Sequence, residues 1–298
     1  MNLKTRLNQL TPYFFIAPAV LIMGTACFYP VLHSMRLSFF DWSLGTPWLS
    51  REFLGLDNYV RIFTDPSVYT SLQVTLMFAG AVVAAELILG MALAFLVERG
   101  LRGLAVFRTI FILPMMIAPV VVGLIWRYLY DTRFGLINYF LRQIGLEPQL
   151  WLASPDLALP GIIIADIWQW TPFIFIIILA GLQSLPASTM DAARVDGCRQ
   201  WQIIWYIKLP LLLPVITVAL LLRLIDAFRV LEVIFIMTFG GPGLTTEVLS
   251  LHIYKTAFLS QRLGMASAIA NFLLIIILTL SVILLFIANP AKAARSAR

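Results

Sequence analysis

Charge is what this sequence has least of. Asp, Glu, Lys and Arg together make up 12% of its 298 residues, where a soluble globular domain carries about 25%. So little charge cannot cover a water-facing surface, which excludes an ordinary soluble domain. Cysteine is scarcer still. Cys27 falls inside an apolar run and Cys198 inside a polar stretch, so no shared location suggests a disulfide, and both are read as small side chains. Histidine occurs twice, too seldom for a catalytic set. No G-x-x-x-x-G-K-[ST] loop is present to cradle ATP phosphates by the usual route. No H-E-x-x-H, Cys pair or G-x-S-x-G occurs either. The chain is read as a non-enzyme that binds no cofactor or metal of its own.

Hydrophobic residues fill the space, at 61% of the chain. Several apolar runs reach about 20 residues, the length that crosses a ~30 Å hydrocarbon core. Six spans are expected, at roughly 12–35, 70–97, 106–130, 159–183, 210–238 and 264–288. The first follows Lys4 and Arg6 like a signal sequence, but it is too long for a cleaved segment and no A-x-A site follows, so it is read as a retained span. A net charge of +6 in such a chain reports orientation rather than nucleic-acid binding. Eleven cations (Lys4, Arg6, Arg99, Arg102, Arg108, Arg194, Arg199, Lys208, Lys292, Arg295, Arg298) flank one side, and eight (Arg36, Arg51, Arg61, Arg127, Arg133, Arg142, Lys255, Arg262) flank the other. The positive-inside rule then puts both termini in the cytoplasm.

The outer loops contain "FLGLDNYVRIF", "FGLINYFLRQIGL" and a "GGPG" turn at 240–243. In the second, Leu136, Ile137, Phe140, Leu141 and Ile144 share a helical face, with Asn138, Arg142 and Gln143 largely opposite. A short helix lying in the membrane interface fits that pattern, and so does a docking surface for an outside partner.

One polar stretch interrupts the apolar chain: "MDAARVDGCRQWQIIWYIKLP", residues 190–210. Ser188 and Asp191 have capping-box spacing, Gly197 is placed to end a short helix, and a second short segment runs from Arg199 to Tyr206 before Pro210 opens the fifth span. The result is a helix–turn–helix knuckle between two spans. It reads either as a stiff device that transmits force or as an interfacial connector anchored by Trp201, Trp205 and Tyr206.

The stretch resembles the cytoplasmic signature of binding-protein-dependent ABC importer permeases: E-A-A, three residues, Gly, nine residues, Ile, one residue, Leu-Pro. Asp191-Ala192-Ala193, Gly197, Ile207 and Leu209-Pro210 match it at every interval, with Asp in place of Glu. "GLDNYVRIF", "FRTIFILPMMIAPVVVGLIWRYLY", "WQWTPFIFIIILAGLQSLP" and "LIDAFRVLEVIFIMTFGGPG" extend the likeness over nearly the whole chain, toward the maltose and glycerol-phosphate type of sugar importer.

The resemblance implies an all-α, six-helix MetI-like type I importer permease in a bacterial inner membrane. It also implies that the knuckle at about 186–209 is the coupling helix pair that docks into a separate ATPase. Asp191, Ala192, Ala193 and Gly197 would make that contact, supported by Ile207, Leu209 and Pro210. ATP and Mg would sit on two ATP-binding subunits. A second homologous permease, an external solute-binding protein, a sugar and membrane lipid are the other implied partners. The chain is accordingly divided into a first span and outer loop (1–69), a permease core (70–290) and a short basic tail (291–298).

Charges also occur where lipid is expected. Arg223, Asp226, Arg229 and Glu232 lie in the fifth span at steps of three with alternating sign. Each charge alone at a span centre costs about 2.5–3.5 kcal/mol, so these residues either form a self-neutralising ladder along one helix or line a transport cavity. Counting about 1.5 Å per residue, Glu232 and Arg229 lie about 9 and 14 Å from the outer end of span five. Asp166 and Trp170, an i, i+4 pair with Trp168 beside them, lie about 10 and 16 Å below the same surface. A carboxylate, an indole and a guanidinium at one depth suit a sugar. Glu86, alone in the second span, also needs a partner. An anionic sugar derivative is the second reading, and a proton-coupled secondary transporter a third, although no inverted repeat supports it.

Overall fold

The computed structural model describes residues 3–98 and 104–288; Arg99, Arg102 and the basic tail at 291–298 lie outside them. In chain order the elements are α1 (Leu3–Leu37), a two-residue hairpin of β1 (Phe40–Asp41) and β2 (Glu52–Phe53), α2 (Asp57–Thr64) and α3 (Pro66–Val97). Next come α4 (Leu104–Met116), α5 (Pro119–Leu129), α6 (Leu136–Gln143), α7 (Pro155–Gln183), α8 (Ala187–Val195) and the single turn α9 (Gln200–Gln202). After a π-helical turn at Ile203–Lys208, the chain continues as α10 (Leu209–Phe228), α11 (Glu232–Met237), α12 (Leu249–Tyr254) and α13 (Leu263–Ala288).

Among the described residues, five helices are long and apolar enough to cross a membrane: Tyr13–Leu37, Pro66–Val97, Pro155–Gln183, Gln200–Met237 and Leu263–Ala288. Val106–Met116 and Pro119–Leu129, bent by 97° at their junction, make a sixth when counted as one broken crossing. The uninterrupted span expected at 106–130 is therefore corrected. Pro119 has no N–H to continue the helix and drives the residue before it out of helical geometry, and Ala118 is indeed extended (φ −58°, ψ 136°).

Two compact units result. One takes in the chain up to Asp65 together with Ile253–Leu273, and the other takes in Pro66–His252 and the chain from Leu274 on. In the first, Asn58 is buried and its side-chain amide donates to the carbonyls of Ser38 (2.9 Å) and Phe40 (3.1 Å), fixing α2 under the hairpin.

The second unit has its core between α3, α7 and α10, where Ala94, Val97, Ile174, Phe175, Ile178 and Leu212 are buried together. A Cβ on Gly90 would lie 2.8 Å from the Ile174 side chain, so only glycine lets α3 come this close to α7. α4 packs on the same core through Phe111, whose ring meets Phe175 edge-on at 5.2 Å. No break separates the knuckle from α10. Pro210 would crowd the carbonyl four residues back in a regular helix, and the chain widens into the π turn instead, with Leu209 N–H donating to Ile204 C=O.

Candidate functional site

Arg223 is the centre of a buried charge cluster drawn from three helices. It is 2% exposed, and Glu86 (α3) and Asp166 (α7) are 0% and 1% exposed. Its Nε and Nη2 donate to the two Glu86 carboxylate oxygens, the Nη2 contact at 2.9 Å. Nη2 also donates to Asp166, and Nη1 donates to Asp226 at 2.8 Å. The guanidinium lies over the Trp170 ring, 5.4 Å from its centre. A planar fork of five N–H donors can serve three carboxylates in this way, whereas an ammonium cannot. Charges that are expensive alone in hydrocarbon thereby become a tie between α3, α7 and α10.

The expected four-member ladder is corrected. Arg223 and Asp226 do pair one turn apart, but α10 ends at Phe228 and Glu232 begins α11, so the helical register that ladder needs is lost. No ion pair joins Asp226 to Arg229 or Arg229 to Glu232 among the described residues. Neither Pro nor Gly marks this break. The carbonyl it frees at Val230 is taken by the Ser250 hydroxyl.

Beside the cluster is a pocket of about 140 Å³ lined by Pro119, Asp166, Trp170, Asp226, Arg229 and Glu232. It lies where two helices are broken, between α4 and α5 and between α10 and α11. Gln169, fully buried, donates its amide to the Ile117 carbonyl at 3.0 Å and so satisfies the first break. Arg127 reaches the Ile236 carbonyl at 3.0 Å and holds α5 against α11. Of the residues named from sequence, Asp166, Trp170, Asp226, Arg229 and Glu232 meet at this pocket, and Arg223 stands behind it. Trp168 does not join them. Two positions from Trp170, it turns to another face of α7, stacks edge-on against Trp126 at 5.9 Å, and lines a separate apolar cleft with Leu89, Leu93 and Phe111. Sequence reasoning left Glu86 without a partner and passed over Pro119 and Gln169. The signal for Glu86 was there, as the only charge within α3.

The knuckle has an inner and an outer face. Met190, Ala193 and Ile203 are buried in a small core flanked by Leu185, Cys198, Ile207 and Leu211. Asp191, Ala192, Val195 and Gly197 are exposed, and Asp191 pairs with Arg194 at 2.8 Å. The capping box expected at Ser188 and Asp191 is corrected. The helix starts at Ala187 after Pro186 without a side-chain cap, which places Ser188 inside it. The capping bond is made in the second helix, where the Gln202 side-chain carbonyl accepts the Arg199 N–H at 2.7 Å. Gly197 closes α8 with φ +79°. Its N–H donates to Arg194 C=O (3.1 Å) and that of Cys198 to Ala193 C=O (3.0 Å), the double bond pattern of a glycine C-terminal cap. Lys208, on the π turn, reaches both carboxylate oxygens of Glu98 at 2.6 Å.

Residues 86–291, from the cluster's Glu86 through the knuckle to beyond α13, match the model of the binding-protein-dependent transport system inner membrane component. The chain belongs to that family. The permease is 37% identical over 278 residues to a probable ABC transporter permease protein, y4oQ, of Sinorhizobium fredii, covering 93% of this chain and 90% of that one. It is 35% identical to the trehalose/maltose transport system permease protein MalF of Thermococcus litoralis, covering 81% of this chain and 85% of the other. In fold it is similar to a chain of a bacterial alginate ABC transporter solved in complex with an alginate pentasaccharide-bound periplasmic protein, with a TM-score of 0.84, 22% identity and 98% of each chain covered. The expected MetI-like permease fold and multi-pass inner-membrane location hold. The permease is a transport component and not an enzyme.

Proposed function

We propose that this chain is one of two homologous permease halves of an ATP-driven sugar importer, loaded from outside by a solute-binding protein. Two separate ATP-binding subunits carry the ATP and Mg, and both termini of the permease face the cytoplasm with them. The observation that carries this reading is mechanical continuity. The exposed face of Asp191, Ala192 and Gly197 sits on a knuckle whose second helix runs without a break into α10, and α10 delivers Arg223 and Asp226 to the polar pocket. Asp191, Ala192 and Gly197 make the ATPase contact. Ala193 and Ile207, turned inward, hold the knuckle's shape, and Leu209 and Pro210 join it to α10. The MalF relative is a trehalose/maltose permease by name, which supports a sugar as cargo.

Charge accounting favours a neutral sugar over an anionic one. The pocket and its backing cluster contain two cations, Arg223 and Arg229, and four carboxylates, Glu86, Asp166, Asp226 and Glu232. Four of the five Arg223 N–H groups are taken by carboxylates, and protons on two of the carboxylates would bring the site only to neutrality. Hydroxyls find donors and acceptors here, and the Trp170 ring offers a face for a pyranose. A sulfonate, phosphate or uronate would face uncompensated carboxylates.

Copurification with candidate ATPase subunits tests the coupling role. Native permease should retain an ATPase, and the doubly substituted Asp191→Arg, Gly197→Trp form should lose it while still inserting into the membrane. Equal retention by both would remove the knuckle as the docking site.

A further inference from the structure

One carboxylate within α3 and another just past its end meet two cations on α10 and its leading turn. At one end Glu86 is bound by Arg223. At the other, Glu98, whose N–H still donates to the Ala94 carbonyl at 3.0 Å, is bound by Lys208 at 2.6 Å. The second pair is well covered, with side-chain exposures of 7% for Lys208 and 24% for Glu98. Twelve residues separate Glu86 from Glu98 and fifteen separate Lys208 from Arg223. At about 1.5 Å per residue the two spacers measure roughly 18 and 22 Å, equal to within one helical turn. The long side chains of Lys208 and Arg223 take up the remainder.

Between these two points the helices pack through apolar side chains, with Ala94, Val97, Leu212 and Ala219 in one cluster. Burial of this kind resists separation, but it is non-directional and does little to stop one helix sliding along the other. A hydrogen-bonded ion pair is directional and has one register, and fixing register is the best attested use of buried charge. Lys208 also occupies a particular place in the chain. It stands on the π turn between the knuckle core, where Ile203 and Ile207 pack, and the start of α10.

We infer that Glu98 and Lys208 are a positioning pair for transport: they lock α3 to α10 at the knuckle end, as Arg223 and Glu86 lock them at the pocket end. The two helices then move as one body, and a displacement of the knuckle reaches Glu86 and Arg223 together instead of being lost as sliding. Neither residue touches substrate or ATPase in this role; both act through the helices that carry the pocket. The inference rests on the coupling role proposed for the knuckle.

The test uses the assembled transporter, with its ATPase and binding protein, in proteoliposomes, reading sugar accumulated per ATP hydrolysed. Maltose serves as the probe if uptake by the native complex shows it is carried; otherwise the neutral sugar that purified binding protein retains is used. Glu98→Gln should keep the copurifying ATPase and its turnover but lower transport per ATP about fivefold or more, the lower end of typical coupling between sites. Lys208→Gln should do the same. The exchanged pair Glu98→Lys, Lys208→Glu should restore most of the loss, because the register is set by the pair and not by either side chain. Native transport per ATP in both single variants overturns the inference. So does an exchanged pair no better than the singles, which would mean that packing around Lys208 is what matters. If the single variants fail to reach the membrane and the exchanged pair succeeds with native stoichiometry, the pair serves assembly alone and the positioning role is again overturned. Failure of the coupling role itself appears elsewhere, as an ATPase retained by the Asp191→Arg, Gly197→Trp form.

Discussion

Arg223 and Arg229 lie six residues apart in sequence and have opposite duties. Arg223 is enclosed by three carboxylates and an indole ring. Arg229 is exposed at the pocket and makes no ion pair among the described residues. Removing Arg223 leaves Glu86 and Asp166 buried with no cation, and breaking a buried pair in that way costs about 3–5 kcal/mol. Arg223→Leu is therefore expected to lower the thermal stability of the detergent-purified permease sharply. Arg229→Gln should leave stability near native and weaken the sugar dependence of uptake by about tenfold, the effect of losing one charged hydrogen bond. Equal stability in the two variants would contradict the division of roles. The sequence displays both arginines at helical spacing but not this difference. In a long helix that is apolar all round, no face is marked as inward, so a partner one turn away on the same helix looks as good as one on a neighbour. Arg223 takes both kinds of partner, and Glu86 is legible only as a carboxylate in need.

Among the elements, the helices that repeat a strong signal were the legible ones. α3, α7 and α13 lie close to the expected spans because length and hydropathy alone decide them. The breaks were harder to see. Pro119 announces the first, yet Pro114, Pro160, Pro172 and Pro214 are carried inside helices, so proline by itself does not separate a kink from a stop. The second break, at 229–231, carries neither Pro nor Gly, and the Ser250 hydroxyl that meets its Val230 carbonyl comes from twenty residues further along the chain. α6 is a different case, an amphipathic helix whose orientation its surroundings explain. Asn138 is fully buried and bonds to the Gln149 backbone and to the Trp151 indole. Asn138 thus anchors the helix, Arg142 and Gln143 stay exposed, and Leu136, Phe140 and Ile144 face out at 50%, 59% and 71% exposure. Asp131 fixes the turn before it. Its carboxylate accepts the N–H groups of Phe134 and Arg133 and is held below its ordinary range by them. Seven residues after the end of α5, such a face belongs at headgroup depth. A tryptophan placed at Phe140 should be quenched by lipids brominated near the headgroup, and more weakly by lipids brominated near the chain ends. Absence of quenching by either would assign the face to a protein partner.

At the scale of the whole molecule, the knuckle reaches an ATPase only if it lies on the cytoplasmic side, and two linked facts bear on that. Eleven flanking cations against eight favour it, and that count assumes that each expected span crosses. The 97° bend between α4 and α5 puts the assumption to the test. If the broken pair crosses, Thr64, just before α3, and Glu147, between α6 and α7, are on the same side. If it turns back, they are on opposite sides. Ala192 is separated from Glu147 by one further crossing, α7, and must be opposite to it in either case. All three positions are exposed, and single cysteines there, in a Cys27→Ser, Cys198→Ala background, can be labelled on intact cells with a membrane-impermeant maleimide. The expected pattern is reaction at 64 and 147 and protection at 192 until the cells are opened. Reaction at 64 with protection at 147 would make α4 and α5 a re-entrant hairpin and reverse every later segment, carrying the knuckle to the outside. Reaction at 192 in intact cells, by whatever route, separates the knuckle from any cytoplasmic ATPase, and the coupling role and the helix pinning that depends on it would fall together.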